Sequence, residues 1–183
     1  MESQLRLVGQ SVAVVGAGGI GSTVLLYLAA AGVGCLRIID GDTVDESNLH
    51  RQIVHDSISA GIRISSLADS LSIANGISIT RGPAITKVES AAQRLRLINP
   101  HIAVDPIARR LTAENAVELL SGCNLVVDAT DNVTARYVLN DACINLRLPL
   151  VTGSAIGLEG QVRIVLSLNS IRYSLQIILQ TTY

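Results

Sequence analysis

Cysteine is sparse in this chain and never closely paired: Cys35, Cys123 and Cys143 are the only three, and no C-x-x-C spacing occurs. Three scattered thiols make neither a disulfide framework nor a zinc centre. Each reads as a small buried apolar residue rather than a nucleophile. Runs of lysine or arginine are also missing, and the net charge is -1. That balance offers nothing to nucleic acid or to an anionic membrane surface. A secretory signal is lacking, since Met1-Glu-Ser-Gln is polar and mildly acidic before any apolar run, so a cytoplasmic setting is expected. Charge itself is absent from residues 11–36, a stretch long enough to span a bilayer. Six of those residues are glycine, four of them at 16, 18, 19 and 21, and such a cluster would break a spanning helix. The stretch reads instead as a buried strand, turn and helix, with no membrane partner.

The length of 183 residues and an apolar fraction of 49% suit one domain with a substantial core. The most informative segment is Ser11-Val-Ala-Val-Val-Gly16-Ala-Gly18-Gly-Ile-Gly21. Its spacing of Gly16, Gly18 and Gly21 follows G-x-G-x-x-G, in which the first glycine permits a tight turn. The second lets backbone approach a phosphate, and the third lets helix pack close on strand. The helix expected at about 20–31 offers its unpaired N–H groups and positive dipole end to an anion. A second strand at 35–40 ends in Asp40, 19 residues beyond Gly21, where a ribose-binding carboxylate is expected.

Further along, Gly32 and Gly34 end the first helix, and 41–52 forms a polar loop. The spacing predicts an amphipathic helix over Thr86–Ile98, with Val88, Ala91, Ala92 and Leu95 on one face, Ile98 extending it and Asn99-Pro100 stopping it. A short strand is expected at His101–Pro106. Thr112 is the expected N-cap of a helix over 113–120. Then come a strand at 124–128, a helix at about 134–147 and strands at 149–152 and 161–165. This alternation predicts an α/β, Rossmann-like doubly wound, mostly parallel sheet, with the nucleotide at the carboxyl edge of the first two strands. Residues 62–85 carry neither element's pattern, although Asn75-Gly76 suggests a two-residue hairpin turn. The tail, 167–183, carries no cap, turn or site signal. His50, His55 and His101 show no metal-ligand spacing and read as structural or exposed.

Several blocks occur in a recognisable order: Gly16-Ala-Gly-Gly-Ile-Gly21, Asp40-Gly-Asp42-Thr-Val, Ser47-Asn48-Leu-His-Arg51-Gln52, Lys87-Val-Glu-Ser-Ala91, Ile98-Asn-Pro100, Asp128-Ala-Thr-Asp131-Asn132, and Pro149-Leu-Val-Thr-Gly153 through Glu159-Gly-Gln161. From Val12 to about Val165 the chain thereby resembles the ThiF/MoeB family of adenylating enzymes related to ubiquitin-activating enzyme. The likeness is greatest to molybdopterin-synthase adenylyltransferases and their sulfurtransferase-fused relatives. The resemblance implies ATP with Mg²⁺, and attack on the α-phosphate by the C-terminal glycine carboxylate of a ubiquitin-like carrier protein ending in Gly-Gly. The products are an acyl-adenylate and pyrophosphate.

It also implies roles for matched residues. Gly16, Gly18 and Gly21 bring backbone near the nucleotide, and Asp40 accepts from the ribose. Asn48 and Arg51 contact the phosphates, while Lys87 neutralises the triphosphate. Asp131 holds Mg²⁺, with Gln52 and Asn132 as pocket neighbours. Arg51, Lys87 and Asp131 are thus the catalytic set. Each alone has a plainer reading: a turn, a solvated loop residue, a surface lysine, or a cap in the case of Thr130-Asp131-Asn132. A homodimer follows by resemblance only.

The chain departs from the family pattern in three places. In the family, Gly61 and the lysine lie only a couple of residues apart, whereas here 62–86 intervene. Such an insertion must loop out without moving either anchor. The N-terminal segment that reaches a partner's nucleotide is missing from the pattern, and so are the structural-zinc cysteine pairs of the second half. Zinc is therefore not expected. The expectation is a nucleotide-binding domain over 1–166, with an atypical insertion at 62–85 and an unassigned tail, as in a truncated member. An NAD-dependent oxidoreductase or a catalytically inactive binding module are the alternatives. The paired cations Arg51 and Lys87 speak against hydride transfer.

Overall fold

The computed structural model describes residues 2–66, 77–168 and 171–180. In chain order the elements are α1 (Glu2–Val8), β1 (Ser11–Val15), α2 (Gly19–Ala31), β2 (Cys35–Ile39), β3 (Ile62–Ser66), β4 (Ile77–Arg81) and α3 (Lys87–Ile98). They continue with β5 (Ala103–Ile107), α4 (Ala116–Leu120), β6 (Leu125–Asp128), α5 (Val133–Leu146), β7 (Leu150–Ile156), β8 (Glu159–Leu168) and β9 (Ile171–Gln180).

β1 is apolar throughout its centre because both faces of the sheet are covered there. Val12 and Val14 enter one core cluster with Leu25 and Ala29 of α2 and Val88, Ala91 and Leu95 of α3. Ala13 and Val15 point the other way, into a cluster with Leu119 and Leu120 of α4 and Leu139, Ala142 and Cys143 of α5. Burial pushes the Cys143 thiol up to about 12, so it behaves as an inert apolar group. The seven-stranded sheet runs β5-β2-β1-β6-β7-β8-β9. Pairing is parallel from β5 to β7 and antiparallel for β7–β8 and β8–β9. The chain moves outward from β1 to β5, then returns to β6 on the other side of β1. The reversal leaves a crevice at the carboxyl ends of β1 and β6, the place where such sheets bind ligands. A charge inside this sheet has a local partner: Arg37 on β2 lies opposite Asp105 on β5 and donates to its carboxylate at 2.8 Å. No helix among the described residues is long and apolar enough to cross a membrane.

The doubly wound α/β architecture agrees with the sequence pattern, but several local expectations need correction. α1 was not foreseen; it carries no buried residue and is tied down by Gly34 N–H donating to the Leu7 carbonyl. The strand expected from His101 begins instead at Ala103. α4 starts at Ala116 rather than 113, and Thr112 is not its cap. The direction is reversed, with the Asn115 Oδ1 accepting from the Thr112 N–H. Ile98 is 39% exposed and does not extend the buried face of α3. β7 and β8 are longer than expected and form a hairpin. Part of the signal-free tail pairs as β9.

Residues 62–66 and 77–81 form an antiparallel pair separate from the main sheet. The two-residue turn at Asn75-Gly76 lies outside the described residues. A turn there would set Ala74 opposite Ile77, whereas the observed register sets Ser66 opposite Ile77 and Ile62 opposite Arg81. The base of this hairpin is closed by backbone. The Gly82 N–H donates to the Gly61 carbonyl at 2.7 Å, and the Ile85 N–H to Ser59 at 3.0 Å. The Val44 N–H donates to Ile85, and Thr43 bridges Thr86. The chain therefore leaves at Gly61 and returns beside it, delivering Lys87 to the head of α3.

Because Ile62 and Arg81 are already a cross-strand pair, replacing residues 63–80 by Asn-Gly supplies a two-residue hairpin turn between them. That variant is expected to unfold cooperatively in urea, with stability within about 1 kcal/mol of the parent, since loop-closure entropy varies slowly with length. Loss of the cooperative transition would show that the hairpin is part of the core.

Candidate functional site

The crevice is built around a corner of glycines. Gly16 follows β1 with φ 93°, a conformation that suits glycine, and a Cβ there would lie 2.7 Å from the Ala129 carbonyl oxygen. A Cβ on Gly21 would fall 1.9 Å from the Gly16 oxygen, so α2 approaches β1 as closely as backbone allows. Gly18 precedes α2 and offers no side-chain cap. The first-turn N–H groups of α2 are thus left for an outside acceptor, favoured by the helix dipole when it is anionic.

The corner is tied to its surroundings on three sides. Asp40, after β2, accepts from the Ala17 N–H with Oδ2 and from the Asp42 N–H with Oδ1, both at 2.8 Å. Each carboxylate oxygen keeps a second acceptor site. The polar loop 41–52 supplies the second side. Its short 3₁₀ turn, Glu46–Asn48, is capped by Asp45, and the Asn48 carbonyl accepts from the Arg51 and Gln52 N–H groups. This fold-back sets Gln52 Nε2 3.7 Å from the Cβ position of Gly18, and Arg51 Cγ 3.7 Å from that of Gly19. Gln52 is buried, and its Oε1 has no hydrogen-bond partner among the described residues. Arg51 is exposed and donates to His50 Nε2 at 3.2 Å. Asn48 is half-buried.

Lys87 approaches from the third side. Thr86 caps α3 by accepting from the Glu89 N–H, and the Lys87 N–H donates to the Asp42 carbonyl. The ammonium reaches Asp42 Oδ2 at 3.1 Å, while Arg110 holds Oδ1 at 3.0 Å. The hydrogen bond from Lys87 holds the Asp42 carboxyl below the usual carboxylate range. Lys87 is thereby fixed two residues from Asp40, which itself grips the corner.

Across the crevice, β6 ends in Asp128, 1% exposed. Its carboxylate accepts from the Thr130 N–H and hydroxyl and from the Thr152 hydroxyl. Arg136, 3.8 Å from Asp128, donates to the Thr130 and Gly153 carbonyls. Asp128, Arg136 and Thr152 were not singled out from sequence. The available signal was Asp128 itself, a strand-terminal acid placed like Asp40. Their network holds segment 129–131 against the corner, with Thr130 N 3.3 Å from the Gly16 Cβ position. Asp131 follows on the exposed side. Asn132 caps α5, its Oδ1 accepting from Thr134 and Ala135, so that oxygen is committed to the helix.

The structure therefore gathers Gly16, Gly18, Gly21, Asp40, Arg51, Gln52 and Lys87 around one corner. It places Asp131 and Asn132 on the adjoining segment. A methyl group at Gly21 cannot be accommodated by side-chain movement, since its neighbour is backbone. Gly21→Ala is expected to cost about 3 kcal/mol. Gly160→Ala, where nothing lies within 4 Å of the new Cβ, is expected to be near neutral. Urea denaturation of the two variants compares them directly, and equal midpoints would refute the close approach.

Comparison with known proteins fits this corner. The ThiF family profile matches residues 1–174. The adenylyltransferase and sulfurtransferase MOCS3 of Anopheles gambiae is 43% identical over 164 residues, 90% of this chain and 32% of that protein. The adenylyltransferase and sulfurtransferase UBA4 of Vanderwaltozyma polyspora is 39% identical over 165 residues, 90% of this chain and 33% of that protein. The chain thus spans about a third of the length of these relatives. The crystal structure of E. coli MccB with succinimide shares the fold, with a TM-score of 0.69 at 21% identity, over 87% of this chain and 41% of that one. On the profile match and the identity across nine-tenths of its length, this protein is a member of the ThiF family.

Proposed function

We propose that the chain binds ATP at the glycine corner and, with Mg²⁺, adenylates a carboxylate. The observation that carries this reading is a pair of cations held around one glycine turn at a helix N-terminus: Arg51, whose stem lies against Gly19, and Lys87, bound to Asp42 two residues beyond Asp40, which itself binds the turn. An anionic carboxylate must approach a polyanionic triphosphate, and charge then moves onto the leaving pyrophosphate. Such a reaction needs positioned cations and backbone donors rather than a protein nucleophile.

ATP suits the corner on three counts. Gly18 and Gly19 put no side chain of their own between the backbone and the Arg51–Gln52 loop, the α2 N–H groups are donors, and the buried Gln52 Oε1 lacks a hydrogen-bond partner. Mg²⁺ suits the donor set as well. Among the described residues no three acids, histidines or cysteines cluster as a protein cage, and Mg²⁺ commonly binds one or two carboxylates together with substrate phosphates. Asp131 is the carboxylate we assign to it, and when bound it would offset phosphate charge. Asn48 and Arg51 take phosphate oxygens, Lys87 shifts from Asp42 toward the triphosphate, and Asp40 uses its remaining acceptor sites for the ribose. Asn132 retains its amide nitrogen for the nucleotide.

The names of the MOCS3 and UBA4 relatives support adenylyl transfer. The acceptor we propose is the C-terminal glycine of a ubiquitin-like carrier protein ending in Gly-Gly. The acyl oxygen bonds the α-phosphorus as the bond to pyrophosphate breaks. We take residues 1–166 as the nucleotide-binding unit, with 62–85 inserted, in a cytoplasmic homodimer.

Pyrophosphate exchange into ATP, with purified protein and such a carrier, tests the reading, with ATP affinity followed by calorimetry. Arg51→Ala and Lys87→Ala are each expected to lower exchange about 100-fold. ATP binding without exchange would leave a nucleotide-binding module. Preference for NAD over ATP would overturn the reading. Asp131→Asn is expected to raise the Mg²⁺ concentration needed for half-maximal exchange. An unchanged Mg²⁺ dependence would remove Asp131 as its ligand.

A further inference from the structure

His55 is 7% exposed and lies just beyond the loop that carries Arg51 and Gln52. Its Nε2 is 2.9 Å from the Ala17 carbonyl oxygen, inside the glycine corner, and its Nδ1 is 2.9 Å from the Ser90 hydroxyl on α3. A carbonyl only accepts, so Nε2 carries a proton, and in the neutral ring Nδ1 then accepts from the Ser90 O–H. Ser90 sits one helical turn after Lys87. A single imidazole therefore spans the corner and the helix that presents Lys87, and it grows from the segment that presents Arg51.

We propose that neutral His55 is a positioning residue, which couples the glycine corner to the Lys87 helix and so sets the spacing between the phosphate-binding N–H groups and the lysine ammonium. The charges that face it are Lys87 on α3, Asp40 after β2 and Asp56 beside it in the chain. Burial, the largest influence, lowers its tendency to protonate; the Ala17 carbonyl opposes this, the nearby Lys87 ammonium adds to it, and Asp40 and Asp56 oppose it, with a net lowering. The sign follows. The unfolded chain takes up this proton first as pH falls through about 6.5, so the stability that neutral His55 contributes is complete above that value and declines below it, while the folded imidazole stays neutral to a lower pH than a free one. Asp42, already paired with both Lys87 and Arg110, holds the lysine at its tip, whereas His55 fixes the backbone behind it.

The affinity part of the test rests on the ATP reading, and the exchange part does not. In ¹⁵N NMR the imidazole is expected as the Nε2–H tautomer at pH 7.5. A Nδ1–H tautomer or an imidazolium there would overturn the proposal. Amide hydrogen exchange at residues 17–21 is expected to quicken about tenfold in both His55→Ala and Ser90→Ala, an effect comparable to one lost hydrogen bond. The double variant should be no faster than His55→Ala alone, and His55→Gln, which keeps a donor toward Ala17, should recover most of the protection. ATP affinity is expected to fall about tenfold in His55→Ala while adenosine affinity stays within twofold. Exchange unchanged in Ser90→Ala, or equal losses for ATP and adenosine, would mean that His55 merely fills space. Quickened amide exchange in the two variants, together with a parent that binds no ATP, would uphold the coupling and sink the nucleotide reading instead.

Discussion

The contact between Gly21 and the Gly16 carbonyl governs this molecule. It allows α2 to start directly above the end of β1, and every element of the crevice is placed relative to that start. A side chain at Gly21 would push the helix outward, and one at Gly16 would collide with the backbone of Ala129. The loop carrying Arg51 and Gln52 would then lose its seat on Gly18 and Gly19, and segment 129–131 its seat on Gly16. Close packing of backbone on backbone here also sets the α2 N-terminus at the crevice with no side-chain cap.

The two-sided sheet makes that corner rigid. Alternate residues of β1 belong to different cores, so neither α2 with α3 nor α4 with α5 can shift without disturbing the central strand. Acids at the strand ends then act as brackets rather than as solvent-facing charges. Asp40 ties the corner to the loop after β2. Asp128, almost wholly buried, is tolerated because three hydrogen bonds and the nearby Arg136 satisfy it. Breaking the Asp128 bracket would leave an uncompensated buried charge, which is why its partners are held in place.

The hairpin at 62–81 illustrates how a large insertion can leave a site undisturbed. Its ends meet through the Gly61–Gly82 hydrogen bond, and Val44, Ser59 and Thr86 stitch the return path to the polar loop. The register of α3 is thus set by contacts at the base of the insertion and is independent of its length. An exposed ion pair, Arg81 with Glu46, adds little energy on its own.

The sequence by itself determined the strand–glycine–helix unit, the alternation that makes a doubly wound sheet, and the candidate residues at strand ends and in the polar loop. These are local properties: apolar runs, glycine spacing, and the Thr86 and Asn99 helix boundaries act over a few residues. Tertiary structure alone decided the rest. The pairing of 62–66 with 77–81, the joining of β9 to the sheet, the reversal of the Thr112–Asn115 cap and the bridging role of His55 each depend on partners distant in sequence or on competition between nearby groups. Hydrogen-bond partners across such separations are chosen by how layers pack, and no periodicity in the chain encodes that choice.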